Sequence, residues 1–373
     1  MSPDADNRRV VIKIGSSSLT SLHGEISRKK LEKLVDEIVT LKDLGHEVLL
    51  VSSGAVAAGY RKLGFLDRPT LLQEKQAAAS IGQGLLMEAY SELFLSHGYV
   101  ASQILITRSD FSDENRYKNV RNTLNVLLDR GIIPIVNEND TVTVDRLKFG
   151  DNDTLSAKVA GLIEADELLI LSDIDGLYDS DPRKNPNAKL LEKVYEITSE
   201  IEASAGGSGS TVGTGGMRSK IDAVKIAMAS GIRTFLGKAG VNNIIFDAVQ
   251  KKAKGTYFES TEHHLNLNQK KQWIAFHSGP EGEITIHQEA KKDLVEKKSN
   301  LFATGLLAVN GRFGSNSVIR ILDDKGLEIG LGVVRYSSEE LINLQIEDKG
   351  RNVSIIDNEN FVCKLEVQLP VGV

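Results

Sequence analysis

Apolar positions along the first 258 residues follow two alternating periods. Short, near-continuous apolar runs occur at 8–15 (RRVVIKIG), 46–54 (HEVLLVSSG), 102–107 (SQILIT), 131–140 (GIIPIVNEND) and 166–173 (DELLILSD). Runs of this length with no polar face read as strands buried on both sides. Between them lie longer stretches with helical spacing: 27–45 (SRKKLEKLVDEIVTLKDLG, ending at Gly45), 70–98, 116–131, 153–165 and 217–231. Alternation of this kind predicts an α/β fold with a mainly parallel sheet sandwiched between helices, in which ligands bind beyond the carboxyl ends of the strands.

After Gly255 the pattern changes. ESTEHHLNLNQKKQW (259–273) is polar and irregular, as a linker would be. From residue 282 short strands with tight turns follow (GEITIH, TGLLAVNGRFGSNSVIRILDDKG, LEIGLGVVRYS), and only KKDLVEKKS and SSEELINLQ carry helical spacing. The division expected is 1–258 for the α/β domain, 259–280 for the linker and 281–373 for a small β-rich domain.

Composition narrows the function classes. A chain of 373 residues is long for one core, and 41% hydrophobic with 26% charged residues is ordinary for a globular protein. No apolar run approaches the roughly 20 residues needed to cross a bilayer, and MSPDADNRR lacks a secretory apolar segment. Cys363 is the sole cysteine, which excludes an internal disulfide and a cysteine-based zinc site. The seven histidines are scattered without an HExxH pattern. These features place the protein in the cytoplasm and away from histidine-based metal chemistry. A net charge of −6 argues against nucleic acid as the main partner.

Four stretches carry candidate chemistry. In GGSGSTVGTGGMRSK (206–220) glycines run straight into a helix start with Lys220 in its first turns. Such a stretch is either a linker or an anion site, because unpaired N–H groups at a helix start attract phosphate. Lys13 sits among apolar neighbours in VVIKIG, either on an edge strand or as a phosphate ligand backed by GSSS. VSSGAVAAG ends the second strand in small residues, with Ser53 and Gly54 opening a turn that suits a compact polar ligand or close packing. Asn137, Glu138, Asn139 and Asp140 follow a strand, and Asp151, Asn152 and Asp153 lead into a helix. One capping aspartate is ordinary there; this many acidic and amide groups suits an amino group, a lysine pair or a magnesium ion. Ser172 and Asp173 sit at another strand end. No Walker A loop, DFG or HRD motif occurs, which removes the two standard phosphoryl-transfer designs.

Taken together, VIKIGSSSLT, SSGAVAAG, KQAAASIGQ, NENDTVT, FGDNDTLSA, DIDGLYDSDPR and GTGGMRSK resemble, in order, the glutamate branch of the amino acid kinase family, and the C-terminal part resembles a PUA domain. The resemblance implies the amino acid kinase fold and ATP-dependent phosphorylation of the γ-carboxylate of L-glutamate, the first step of proline synthesis. Lys13 and Lys220 would hold the phosphates, and Asp153 would orient the two lysines. Ser53, Asp140 and Asn152 would hold glutamate, with Asp151 beside it. Ser172, Asp173 and the run Thr214, Gly215, Gly216, Met217, Arg218, Ser219 and Lys220 would line the nucleotide site. It further implies magnesium carried on the nucleotide, with no protein metal site, proline as feedback inhibitor and a homo-oligomer (dimer or tetramer). Two departures stand out: GSSS replaces the family's Gly-Thr-Ser, and IIDNENFVCKLEVQLPVGV lacks its aromatic tail. PUA domains elsewhere bind RNA, but residues 281–373 hold 11 Lys and Arg against 15 Asp and Glu, a net of −4 and the wrong sign for a phosphate backbone.

Overall fold

The computed structural model describes residues 7–21, 25–143, 152–205, 216–259, 268–347 and 353–364. It divides into two compact units: Met1–Asp110 with Asn115–His264, and Phe111–Glu114 with Leu265–Val373.

The first unit follows the alternation read from the sequence. Its elements, apart from Phe111 and Ser112 of α4 and Glu114 of α5, which belong to the second unit, are β1 (Arg9–Ile14), α1 (Arg28–Asp43), β2 (Glu47–Val51), α2 (Ala55–Gly59), α3 (Leu72–Ser96), β3 (Ala101–Ile106), α4 (Arg108–Ser112), α5 (Glu114–Asp129), β4 (Ile133–Glu138), α6 (Asn152–Leu162), β5 (Glu167–Ser172), β6 (Lys193–Val194), α7 (Ser199–Ala205), α8 (Met217–Ala229), β7 (Arg233–Lys238), α9 (Ile244–Val249) and β8 (Thr256–Phe258). The sheet runs β3-β4-β2-β1-β5-β7-β8-β6. The pairings from β3 across to β7 are parallel, and β8 is antiparallel to β7. β1 therefore lies inside the sheet with β2 on one side and β5 on the other, so Lys13 is not on an edge.

Side chains alternate between the sheet faces with period two. Val10, Ile12 and Ile14 join a core with Leu31, Leu34, Val35 and Ile38 of α1 and Ile244 and Ile245 of α9. Residue 13 belongs to the other face, where α6 packs against β1, β5 and α8. α1 buries one apolar stripe at helical spacing and ends at Gly45, whose φ of +92° is the left-handed conformation expected just past a helix. α6 is almost wholly buried, which its small residues Ser156, Ala157, Ala160 and Gly161 permit.

The small residues of GAVAAG and AAASIGQ serve a helix–helix contact. A Cβ on Gly59 would lie 1.9 Å from the Ala78 carbonyl oxygen, and one on Gly82 would lie 1.8 Å from that of Ala55. α2 and α3 thus touch backbone to backbone, a distance only glycine permits.

The second unit contains α10 (Gln269–Gln272), β9 (Gly282–Ile286), α11 (Gln288–Val295), β10 (Leu301–Phe302), β11 (Leu306–Asn310), β12 (Val318–Leu322), β13 (Glu328–Val333), α12 (Ser338–Glu347), β14 (Ser354–Ile356) and β15 (Phe361–Cys363). Its main sheet runs β11-β9-β12-β13-β15, over a core that includes Ile284, Ile286, Ile319, Ile321, Leu341 and Phe361. Within the stretch read as linker, residues 260–267 lie outside the described residues. Beyond them Trp273–His277 form a π-helical turn whose Trp273, Ile274 and Phe276 are buried, with the Trp273 indole N–H donating to the Phe111 carbonyl at 2.9 Å.

Candidate active site

Three charged side chains distant in sequence meet under the carboxyl end of β1. Asp153, fully buried in the first turn of α6, contacts Lys13 Nζ through Oδ1 at 2.5 Å. It accepts from Lys220 Nζ through Oδ2 at 2.9 Å. Lys13 is 3% exposed and Lys220 5% exposed, so bulk water solvates neither ammonium. Burying one such charge is costly without a partner; a carboxylate shared by two lysines supplies it and leaves a net charge of +1. Helix dipoles reinforce the arrangement unevenly. The amino end of α6 favours the Asp153 anion, while the amino end of α8 disfavours the Lys220 cation and makes it the more dependent on Asp153. Ser219 adds a hydroxyl 3.2 Å from Asp153 Oδ2.

The loop after β1 is held from below. Ser16–Ser18 form a single 3-10 turn, and Lys30 Nζ donates to the Ser17 and Thr20 carbonyls, each at 2.8 Å. Those carbonyls are thereby drawn toward α1. Gly54, with φ of +99°, starts α2 in the left-handed conformation beside Ser16.

A second group gathers one residue away from Asp153. Asn152 Nδ2 donates to the Ser52 carbonyl at 2.7 Å, to Asn137 Oδ1 at 2.9 Å and to Ser53 Oγ at 3.0 Å. Asn137 Oδ1 also accepts from the Glu138 amide, and Asn137 Nδ2 donates to Gln83 Oε1 in α3 at 2.9 Å. Behind Ser52, its hydroxyl and the Tyr90 hydroxyl lie 3.0 Å apart, and burial pushes the Tyr90 phenol up. Asp140 is half-buried just past β4. Further along α6, burial and then the Arg108 charge push the buried Lys158 ammonium down to about 7.

At the end of β5, Ser172 is buried and donates to the exposed Asp173 carboxylate at 3.0 Å. Gly216 caps α8, Met217 is half-buried, and exposed Arg218 pairs with Asp222 at 3.3 Å. Of the residues singled out in the sequence, the structure brings Lys13, Asp153, Ser219 and Lys220 into one cluster and Ser53 and Asn152 into another. Asp151, Thr214 and Gly215 lie outside the described residues. Gln83 and Lys30 were not among the candidates, although Gln83 closes KQAAASIGQ; Asn137 belonged to the acidic and amide set but had no role of its own assigned.

The model of the amino acid kinase family matches residues 8–238, more than half of the chain and all of these clusters. The chain belongs to the amino acid kinase family. A PUA domain matches residues 282–356. Among curated relatives of this family member, glutamate 5-kinase 2 of Bacillus subtilis is 66% identical over 372 residues, covering 100% of both chains. Glutamate 5-kinase 2 of Bacillus licheniformis is 65% identical over 371 residues, covering 98% of this chain and 100% of that one. Among solved structures, a carbamate kinase from Giardia lamblia bound to AMP-PNP shares the fold at 18% identity and a TM-score of 0.50, covering 69% of this chain and 99% of that one. Among the described residues no helix is long and apolar enough to cross a membrane.

Proposed function

We propose that this amino acid kinase transfers the γ-phosphoryl group of ATP to the γ-carboxylate of L-glutamate, giving L-glutamyl 5-phosphate in the first step of proline synthesis. One observation carries the reading: two buried lysines share one buried aspartate at the end of the central strand, in a chain alike from end to end to glutamate 5-kinases.

The chemistry suits such a site. A glutamate side chain has a pKa of roughly 4.3, so the nucleophile is ionised at neutral pH and needs no general base. The obstacle is the approach of one anion to another. Lys13 and Lys220 offset the charge that grows on the transferring group, and positioning does the rest. Asp153 holds both ammonium groups at one point and keeps them buried while no phosphate is present. Ser53, Asn152, Asp140 and Asp151 take the amino acid, the acidic groups answering its ammonium. Ser172, Asp173 and residues 214–220 take the nucleotide.

Magnesium on the nucleotide phosphates would supply further charge neutralisation. Both Asp153 oxygens face ammonium groups, so that carboxylate is already engaged and the metal would be held by the nucleotide. The same reading takes 1–258 as the kinase domain, 259–280 as the connection and 281–373 as the PUA-like domain, which limited proteolysis would check. It also takes the enzyme as a cytoplasmic homo-oligomer, which light scattering would check for assembly.

The test is an acceptor panel. Acyl phosphate formed with ATP and magnesium is trapped by hydroxylamine as the hydroxamate. Free L-glutamate is the expected acceptor, with N-acetylglutamate and aspartate poor. Equal turnover of N-acetylglutamate would contradict the reading, because an acidic pocket favours a free ammonium group.

A further inference from the structure

We infer that Gln83 is a positioning residue for the glutamate pocket: by accepting from Asn137 it anchors the buried amide chain whose polarity two backbone groups set, and so holds Asn152 where it presents its oxygen, and Ser53 its hydroxyl proton, to the amino acid. The inference rests on the proposed role of Ser53 and Asn152 as glutamate ligands.

Two backbone groups set the polarity of the whole chain of amides. The Ser52 carbonyl can only accept, so the Asn152 atom 2.7 Å from it must be Nδ2. The Glu138 amide can only donate, so the Asn137 atom 2.9 Å from it must be Oδ1. Asn137 therefore turns Nδ2 toward Gln83, which must answer with Oε1, and the distance is 2.9 Å. Asn137 is 2% exposed and Gln83 9% exposed, so water does not substitute freely for that acceptor. Without it, a flip of Asn137 would set its NH2 against two donors, the Glu138 amide and Asn152 Nδ2. Leaving it in place would strand a buried donor.

The consequence reaches the substrate. Both hydrogens of Asn152 Nδ2 are spent on Ser52 O, Asn137 Oδ1 and Ser53 Oγ. Oδ1 is then what Asn152 offers, an acceptor for an ammonium group. Ser53 Oγ accepts from Nδ2, so its own proton is directed elsewhere, as a carboxylate requires. An acceptor beside a donor matches the ammonium and carboxylate of an α-amino acid. The close crossing of α2 and α3 at Gly59 and Gly82 places Gln83 where it can act.

The experiment compares Gln83→Met, of similar volume without an acceptor, with Gln83→Glu, which keeps one. Gln83→Met should raise the apparent KM for glutamate about tenfold, the loss of one buried amide bond, with kcat and the KM for ATP close to wild type. Gln83→Glu should restore the glutamate KM most of the way. An unchanged glutamate KM in Gln83→Met, a Gln83→Glu enzyme as impaired as Gln83→Met, or a loss spread equally over kcat and the ATP KM would overturn the inference. If Gln83→Met fails to fold, Gln83→Leu, which also lacks an acceptor, takes its place under the same criteria. Wild type in the same assay separates the two levels. A wild type inactive on glutamate refutes the proposed function, whereas an active wild type beside an unaffected Gln83→Met enzyme refutes only the role of Gln83.

Discussion

Replacing Asp153 by asparagine tests the shared carboxylate at constant shape. The substitution removes one negative charge from between two ammonium groups at 2.5 and 2.9 Å. At an effective dielectric constant near 20, each contact is worth about 6 kcal/mol of Coulomb attraction. Most of that is offset by the several kcal/mol per ion needed to bury the charges, and removing one partner of a buried pair costs a net of about 3–5 kcal/mol. Total stability of a domain is only about 5–15 kcal/mol, so Asp153→Asn should melt far below wild type. Its response to ATP should be the mirror image. Two uncompensated lysines would gain more from a triphosphate, so saturating ATP should raise the melting temperature of the variant by more than that of wild type. Turnover should fall on the order of 100-fold, because the lysines are no longer held where charge develops. Thermal melts with and without ATP, beside steady-state kinetics on glutamate, read all three effects. A variant with near-normal melting temperature, ATP response and turnover would refute the reasoning.

Gly82→Ala should destabilise by at least about 1–3 kcal/mol, since a Cβ 1.8 Å from the Ala55 carbonyl oxygen forces α2 and α3 apart; chemical denaturation reads the difference, and a neutral result would refute the close crossing. Lys158 is depressed from 10.5 to about 7, so between those values the unfolded chain holds a proton that the folded chain does not. Stability therefore climbs as pH rises from about 7 toward 10.5. Lys158→Met should flatten that climb, and its stability relative to wild type should be highest at and below neutral pH; equal pH slopes would contradict the burial argument. Proline should compete with glutamate, since both present an α-amino acid head, and Asp140→Ala should weaken the inhibition; inhibition that glutamate cannot relieve would place proline elsewhere.

The strands and long helices of the first unit were legible because their apolar periods differ so plainly. Lys13 stood out as a charge inside an apolar strand, and the central position of β1 explains why: only a partnered lysine survives there. Residue patterns alone did not single out the partner, which only the family resemblance named. Asp153 reads locally as a helix cap, and only the β1–β5 neighbourhood and the packing of α6 on α8 bring it to Lys13 and Lys220. The glycines of SSGAVAAG suggested a ligand turn or helix–sheet packing, whereas Gly59 and Gly82 make a helix–helix contact. Gln83 was invisible because α3 mixes apolar and polar residues without a clear helical period, and Gln83 is one of three glutamines in it, with Gln73 and Gln76. The short strands β6 and β8 are too brief for periodicity to register. Trp273–His277 followed a polar run and so read as linker, although the apolar side chains of Trp273, Ile274 and Phe276 needed burial.

The most direct test of the account is the rate of glutamyl phosphate formation by Lys220→Ala in the full chain, with folding checked by circular dichroism. Lys220 is assigned to charge that exists mainly in the transition state, so turnover should fall on the order of 100-fold or more while the apparent KM for glutamate changes little. A folded Lys220→Ala enzyme that works at near-normal rate would contradict the claim that phosphoryl transfer takes place against the Lys13–Asp153–Lys220 cluster.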